Sequence, residues 1–104
     1  MEHLQFRFEG GKPRSAAQAQ LVGVVGSGNL EVLIEAADLR GACEIDVQTA
    51  ARGFSAIWQA VMDDFQRRWQ LADIRISIND MGATPAVVSL RLDQAVESML
   101  GQAA

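Results

Sequence analysis

The sequence predicts a two-layer α+β sandwich: a mainly antiparallel β-sheet with one or two helices packed on one face. Three observations carry this. Several separate stretches alternate apolar with polar residues, which is the period of a strand. One stretch near the middle repeats its apolar residues at the period of a helix instead. The chain is 104 residues long, one domain over 1–104 by size, with no repeat, low-complexity tract or internal boundary.

The elements follow in order. Leu4, Phe6 and Phe8 alternate with Gln5, Arg7 and Glu9, as in a half-buried strand. "GGKPRSAAQ" reads as a loop. "LVGVV" is a short β-branched run and predicts a buried strand. Gly-Ser-Gly-Asn breaks it, and Leu30, Val32 and Ile34 then alternate with Glu31 and Glu35, with Leu33 as an outer-face exception. Two strands around a short glycine-rich turn predict a hairpin. Cys43, Ile45 and Val47 alternate with Glu44, Asp46 and Gln48 in a further strand.

From about Gly53 the period changes. Phe54, Ile57, Trp58, Val61, Met62, Phe65 and Trp69 form one helical stripe, expected to be core. Asp63–Asp64 and Arg67–Arg68 suit a solvated helix face with i,i+4 pairs. Ile74, Ile76 and Ile78 alternate against Arg75, Ser77 and Asn79 in a strand. "NDMGATP" is turn-like. Beyond it two patterns compete. Val88, Leu90 and Leu92 alternate, whereas Val88, Leu92, Ala95, Val96 and Met99 fit a helix with Thr84 as cap and Pro85 at its first position. The reading adopted is a strand over about 86–92 and a helix over about 93–102.

Composition bounds the function. Hydrophobic residues make up 49% and charged residues 21%, as in a soluble domain. A chain of this size buries roughly 65% of its unfolded surface. No apolar run approaches the ~20 residues of a membrane helix. "MEHLQFRFEGGKPR" has no apolar signal core, so a cytoplasmic location is expected. The net charge of −4 argues against nucleic acid and suits docking on basic protein surfaces. Cys43 and His3 are the single cysteine and histidine, which argues against a disulfide, a metal site or a Ser-His-Asp triad. Cys43 lies among alternating apolar residues and is expected to be a small buried hydrophobe.

Ser27, between Gly26 and Gly28 and followed by Asn29, is the residue of interest. Gly-Ser-Gly-Asn is good turn chemistry and needs no further role. Alternatively, two glycines clear the space around a hydroxyl for another protein's active site. A phosphate cradle is disfavoured, because no Lys-Ser/Thr follows and the stretch leads into a strand. Asp80 reads as a turn former. Glu31 and Glu35 share the outer face of their strand and are candidates to steer docking. One serine in a turn with no catalytic partner suits a carrier better than an enzyme.

"LVGVVGSGNLEVLIE" and "NDMGATPAVVSLRLDQ", with Trp58-Gln59 between them, resemble the acyl carrier (delta) subunit family of bacterial malonate decarboxylase. The chain resembles the citrate lyase carrier subunit more distantly. The resemblance implies that Ser27 carries 2'-(5''-triphosphoribosyl)-3'-dephospho-CoA through a phosphodiester, with Gly26, Gly28 and Asn29 as its supporting loop. The arm's terminal thiol holds an acetyl or malonyl group. The implied partners are the transferase (alpha) and decarboxylase (beta, gamma) subunits, a holo-carrier transferase and a malonyl transferase. No catalytic residue of its own is implied, and the chain made without its modifying enzyme is expected in the apo form. Glu31, Glu35 and Asp80 are the candidate docking residues. Asn29 stands where the family usually has aspartate, and Asn79-Asp80-Met81 departs from the usual His-Asp-Phe. The alternative is a small non-enzymatic interaction or regulatory module in which Gly-Ser-Gly-Asn is only a hairpin turn. The helical-bundle acyl carriers differ in having an Asp-Ser-Leu attachment motif.

Overall fold

Among the described residues, alternation along four stretches and one β-branched run form five strands, and helical periodicity along two stretches forms two helices. The computed structural model describes residues 1–12, 22–27 and 29–103, with side chains for 1–12 and 29–99. The elements are β1 (Glu2–Phe8), β2 (Val22–Ser27), β3 (Leu30–Ala36), β4 (Cys43–Thr49), α1 (Ser55–Trp69), β5 (Ile74–Asp80) and α2 (Pro85–Ala103). Most of the expected "GGKPRSAAQ" loop, together with Leu21 and Gly28, lies outside the described residues.

The sheet order is β1-β4-β5-β3-β2. Three neighbouring pairs are antiparallel, and β4–β5 is parallel. A parallel pair needs a long crossover, and α1 is that crossover. Both helices cover one face. Against them lie Leu30, Val32, Ile34, Cys43, Ile45, Val47, Ile74, Ile76 and Ile78, all buried. The other face is polar. There Arg7 and Arg75 pair with Glu44, and His3 pairs with Asp46.

The second helix corrects the expectation of a strand over 86–92. The whole segment from Pro85 is one helix. The Thr84 hydroxyl accepts the Val87 amide at 3.3 Å as an N-cap, and Pro85 takes the first position, where its missing N–H costs nothing. Val88, Leu92, Ala95, Val96 and Met99 are buried, while Leu90 is 50% exposed. A strand would have sent Leu90 inward with Val88 and Leu92. On a helix two residues span about 200°, so Leu90 turns outward.

No helix among the described residues is long and apolar enough to cross a membrane.

Candidate functional site

The register places the candidate serine at the end of a row that crosses the whole sheet. Ser27 pairs with Leu30, Leu30 with Asp80, Asp80 with Thr49, and Thr49 with Glu2. Ser27 is thus the last residue of an edge strand and not the middle of a loop. Two residues, 28 and 29, separate it from β3. Two strand spacings set its backbone roughly 10 Å from that of Asp80. Gly26 is also in β2, opposite Glu31. Asn29 is exposed, and Gly28 lies outside the described residues.

Asp80 organises this end. It is 2% exposed. One carboxylate oxygen accepts the Thr49 hydroxyl at 2.8 Å. The other accepts the amides of Gly82 at 3.2 Å and Ala83 at 2.8 Å. Thr49 Oγ1 in turn accepts the Ala51 amide at 3.1 Å. Asp80 therefore ties the end of β4 to the turn that launches α2. The turn-former expectation holds, and the carboxylate is engaged inside the chain, while its neighbours Asn79 and Met81 are exposed. Glu31 is exposed, and Glu35 is half-buried opposite Arg75.

The structure joins segments that are about fifty residues apart in sequence. The Met81 amide donates to the Asn29 carbonyl at 2.8 Å. The Gly-Ser-Gly-Asn and Asn-Asp-Met-Gly segments are thus fastened together at one end of the sheet. Sequence reasoning missed Thr49 as a partner. The signal was available: Thr49 continues the inward series of Cys43, Ile45 and Val47, and Asp80 continues that of Ile74, Ile76 and Ile78. Two polar residues at inward positions of neighbouring strands need each other.

A second feature at this end corrects the reading of the α1 stripe as wholly core. Met62 and Phe65 are 0% exposed and Trp58 is 6%, but Phe54 is 46% and Ile57 44% exposed. They wall an apolar groove of about 250 Å³ with Trp58, Val61, Pro85 and Val88. Asp80 contributes to its lining beside Gly82 and Ala83. Cys43 is far from nucleophilic, since burial pushes its thiol up to about 12.

The fold and this site define a small α+β domain with a serine at the end of an edge strand. They do not define a helical-bundle carrier. The profile of the malonate decarboxylase delta subunit, an acyl carrier protein family, matches residues 17–99. The chain belongs to that family. It is 63% identical over 102 residues to the malonate decarboxylase acyl carrier protein of Xanthomonas axonopodis pv. citri, covering 97% of each chain. It is 61% identical over 95 residues to that of Burkholderia cepacia, covering 91% of this chain and 87% of the other. A chain in the crystal structure of a Pseudomonas malonate decarboxylase hetero-tetramer in complex with malonate superposes with a TM-score of 0.80 at 37% identity. That match covers 95% of this chain and 99% of the other.

Proposed function

We propose that this chain carries the acyl group of a malonate decarboxylase on a phosphoribosyl-dephospho-CoA arm, derived from 2'-(5''-triphosphoribosyl)-3'-dephospho-CoA and joined to Ser27 by a phosphodiester. The observation that carries the reading is the position of Ser27 as the last residue of an edge strand, paired on one side by β3. The other side of β2 borders no further strand among the described residues. The backbone there is fixed by a ladder on one flank, while the Asn29 carbonyl is held by Met81. A fixed backbone at this end supports the reading of Ser27 as the attachment point.

Attachment displaces diphosphate from the triphosphate of the precursor. The Ser27 oxygen forms the new bond to phosphorus, and its proton leaves to a base of the holo-carrier transferase. When bound, the group supplies a thiol that holds acetyl or malonyl as a thioester. The chain itself holds the tether and raises the local concentration of thioester at each partner's active site. Those partners are the transferase (alpha) and decarboxylase (beta, gamma) subunits and the malonyl transferase.

Intact mass tests this. Incubated with the holo-carrier transferase and precursor, the chain gains one adduct, mapped to Ser27 by peptide mass. Ser27→Ala abolishes the adduct and melts within about 0.5 kcal/mol of the parent, as substitutions away from core and network usually do. An adduct that persists on the alanine variant overturns the assignment.

A further inference from the structure

The groove between the N-terminal halves of α1 and α2 opens at the same end of the sheet as Ser27. Its floor and walls are Phe54, Ile57, Trp58, Val61, Pro85 and Val88. Among the described residues that line it, none is cationic, and Asp80 is the only ionisable one. At about 250 Å³ it is smaller than the usual small-molecule pocket, so it takes the end of a ligand and not a whole cofactor. Phe54 and Ile57, 46% and 44% exposed, leave apolar surface that the fold itself does not cover.

We infer that this groove shelters the acyl end of the chain's own arm when that end is uncharged, and releases it when the end is malonyl. The inference rests on attachment at Ser27. Three observations select the occupant. First, Asp80 lines the groove and lies two strand spacings, roughly 10 Å, from Ser27 along the sheet, well within reach of a long flexible arm. Second, the absence of a cationic lining residue suits the uncharged cysteamine end of pantetheine and its acetyl thioester and not the phosphates nearer the serine. Third, Asp80 faces the same space with its oxygens already engaged by Thr49, Gly82 and Ala83. A malonyl carboxylate brought there would lose water without a partner and meet a like charge.

Tethering makes weak affinity sufficient. An attached ligand has an effective concentration in the millimolar range, so a Kd of about 1 mM half-fills the groove. The acetylated carrier then waits with its thioester partly covered, and exchange to malonyl frees the arm for the next partner.

The two tryptophans give the readout. Trp58 lines the groove. Trp69 is eleven positions further along α1, about 16 Å away, and donates to Asp93 at 2.9 Å. The indole N–H signals of ¹⁵N-labelled apo, holo, acetyl-holo and malonyl-holo carrier are compared, each form first verified by mass at Ser27. Trp58 moves in the acetyl form and returns to its apo position in the malonyl form, while Trp69 stays still throughout. Hydrolysis of the acetyl thioester, followed by thiol release, is about twofold slower than for free S-acetylpantetheine, as half-occupancy requires. Buried Cys43 does not interfere with the thiol assay. Ile57→Gln, at a half-exposed position, removes both the Trp58 shift and the protection.

Absence of any Ser27 adduct defeats the attachment reading itself. A verified adduct with Trp58 unmoved, or one that shifts equally with malonyl, overturns this inference alone. So does a Trp58 signal that moves only when the decarboxylase subunits are added, which makes the groove a subunit interface.

Discussion

The two ends of the sheet differ in how they are closed. At the end where β4 and β5 begin, the loops are stitched to one another. Asp73 Oδ1 accepts the amides of Leu39 at 3.0 Å and Gly41 at 2.9 Å. The Gln66 side chain donates to the Leu71 carbonyl and accepts its amide. Arg68 and Trp69 both donate to Asp93, joining the end of α1 to α2. At the other end, where β4 and β5 finish, α1 starts at Ser55 after an N-cap residue, Phe54, that makes no side-chain cap, and the groove stands open. One amphipathic stripe thus has two fates. Its second half packs against the sheet and α2, and its first half walls a cavity at the same end of the sheet as the candidate serine. The closed end holds the fold, and the open end is where the proposed arm would be attached.

The largest effect that separates the two halves is at Phe65. Phe65→Ala removes a ring that is 0% exposed and costs about 3–5 kcal/mol. Phe54→Ala, at the open end, costs about 1 kcal/mol or less. Urea melts with a common slope check both, and similar midpoints for the two variants would erase the distinction. Asp80→Ala comes next. It strands the Thr49 hydroxyl and two amides, an expected loss of about 2–3 kcal/mol. The Met81 amide should then exchange faster with solvent, and unchanged exchange would show that Asp80 does not frame the open end.

The closed end should respond to acid. The Gly41 and Leu39 amides hold the Asp73 carboxyl below the usual carboxylate range. Its folded value lies below the unfolded one of about 3.9, so its stabilisation is fully present above that pH. It is lost as pH falls through the folded value. Asp73→Asn should flatten the fall in stability below about pH 4 and leave the Trp58 signal at the open end unchanged. The smallest stability effect belongs to the outer face of β3. Glu31→Gln with Glu35→Gln should leave the melt within about 0.5 kcal/mol. If the carboxylates steer docking, the double variant associates more slowly with partner subunits at low salt, and its rate depends less on salt. Equal rates at low salt would leave recognition to the hairpin end and the groove.

Local pattern and general physics determined much of this protein. Alternation placed β1, β3, β4 and β5 within a residue or two, because a side-chain period of two is read directly from the sequence. The 3.6 period placed α1 over almost its full length. The motifs around Ser27 and Gly82-Ala83-Thr84-Pro85 were legible as the marks of a family. Other features depended on tertiary context. Val88, Leu90 and Leu92 fit both periods, and only packing of Val88, Leu92 and Val96 against the core decided for a helix that starts at Pro85. The stripe on α1 could not say which half is covered, because coverage depends on where α2 lies. Nor could the chain's order show that Asn29 is bonded to Met81 or that Ser27, Asp80 and Thr49 share one row. Sheet register between distant strands is set by the burial of whole faces at once, and no local segment contains that information.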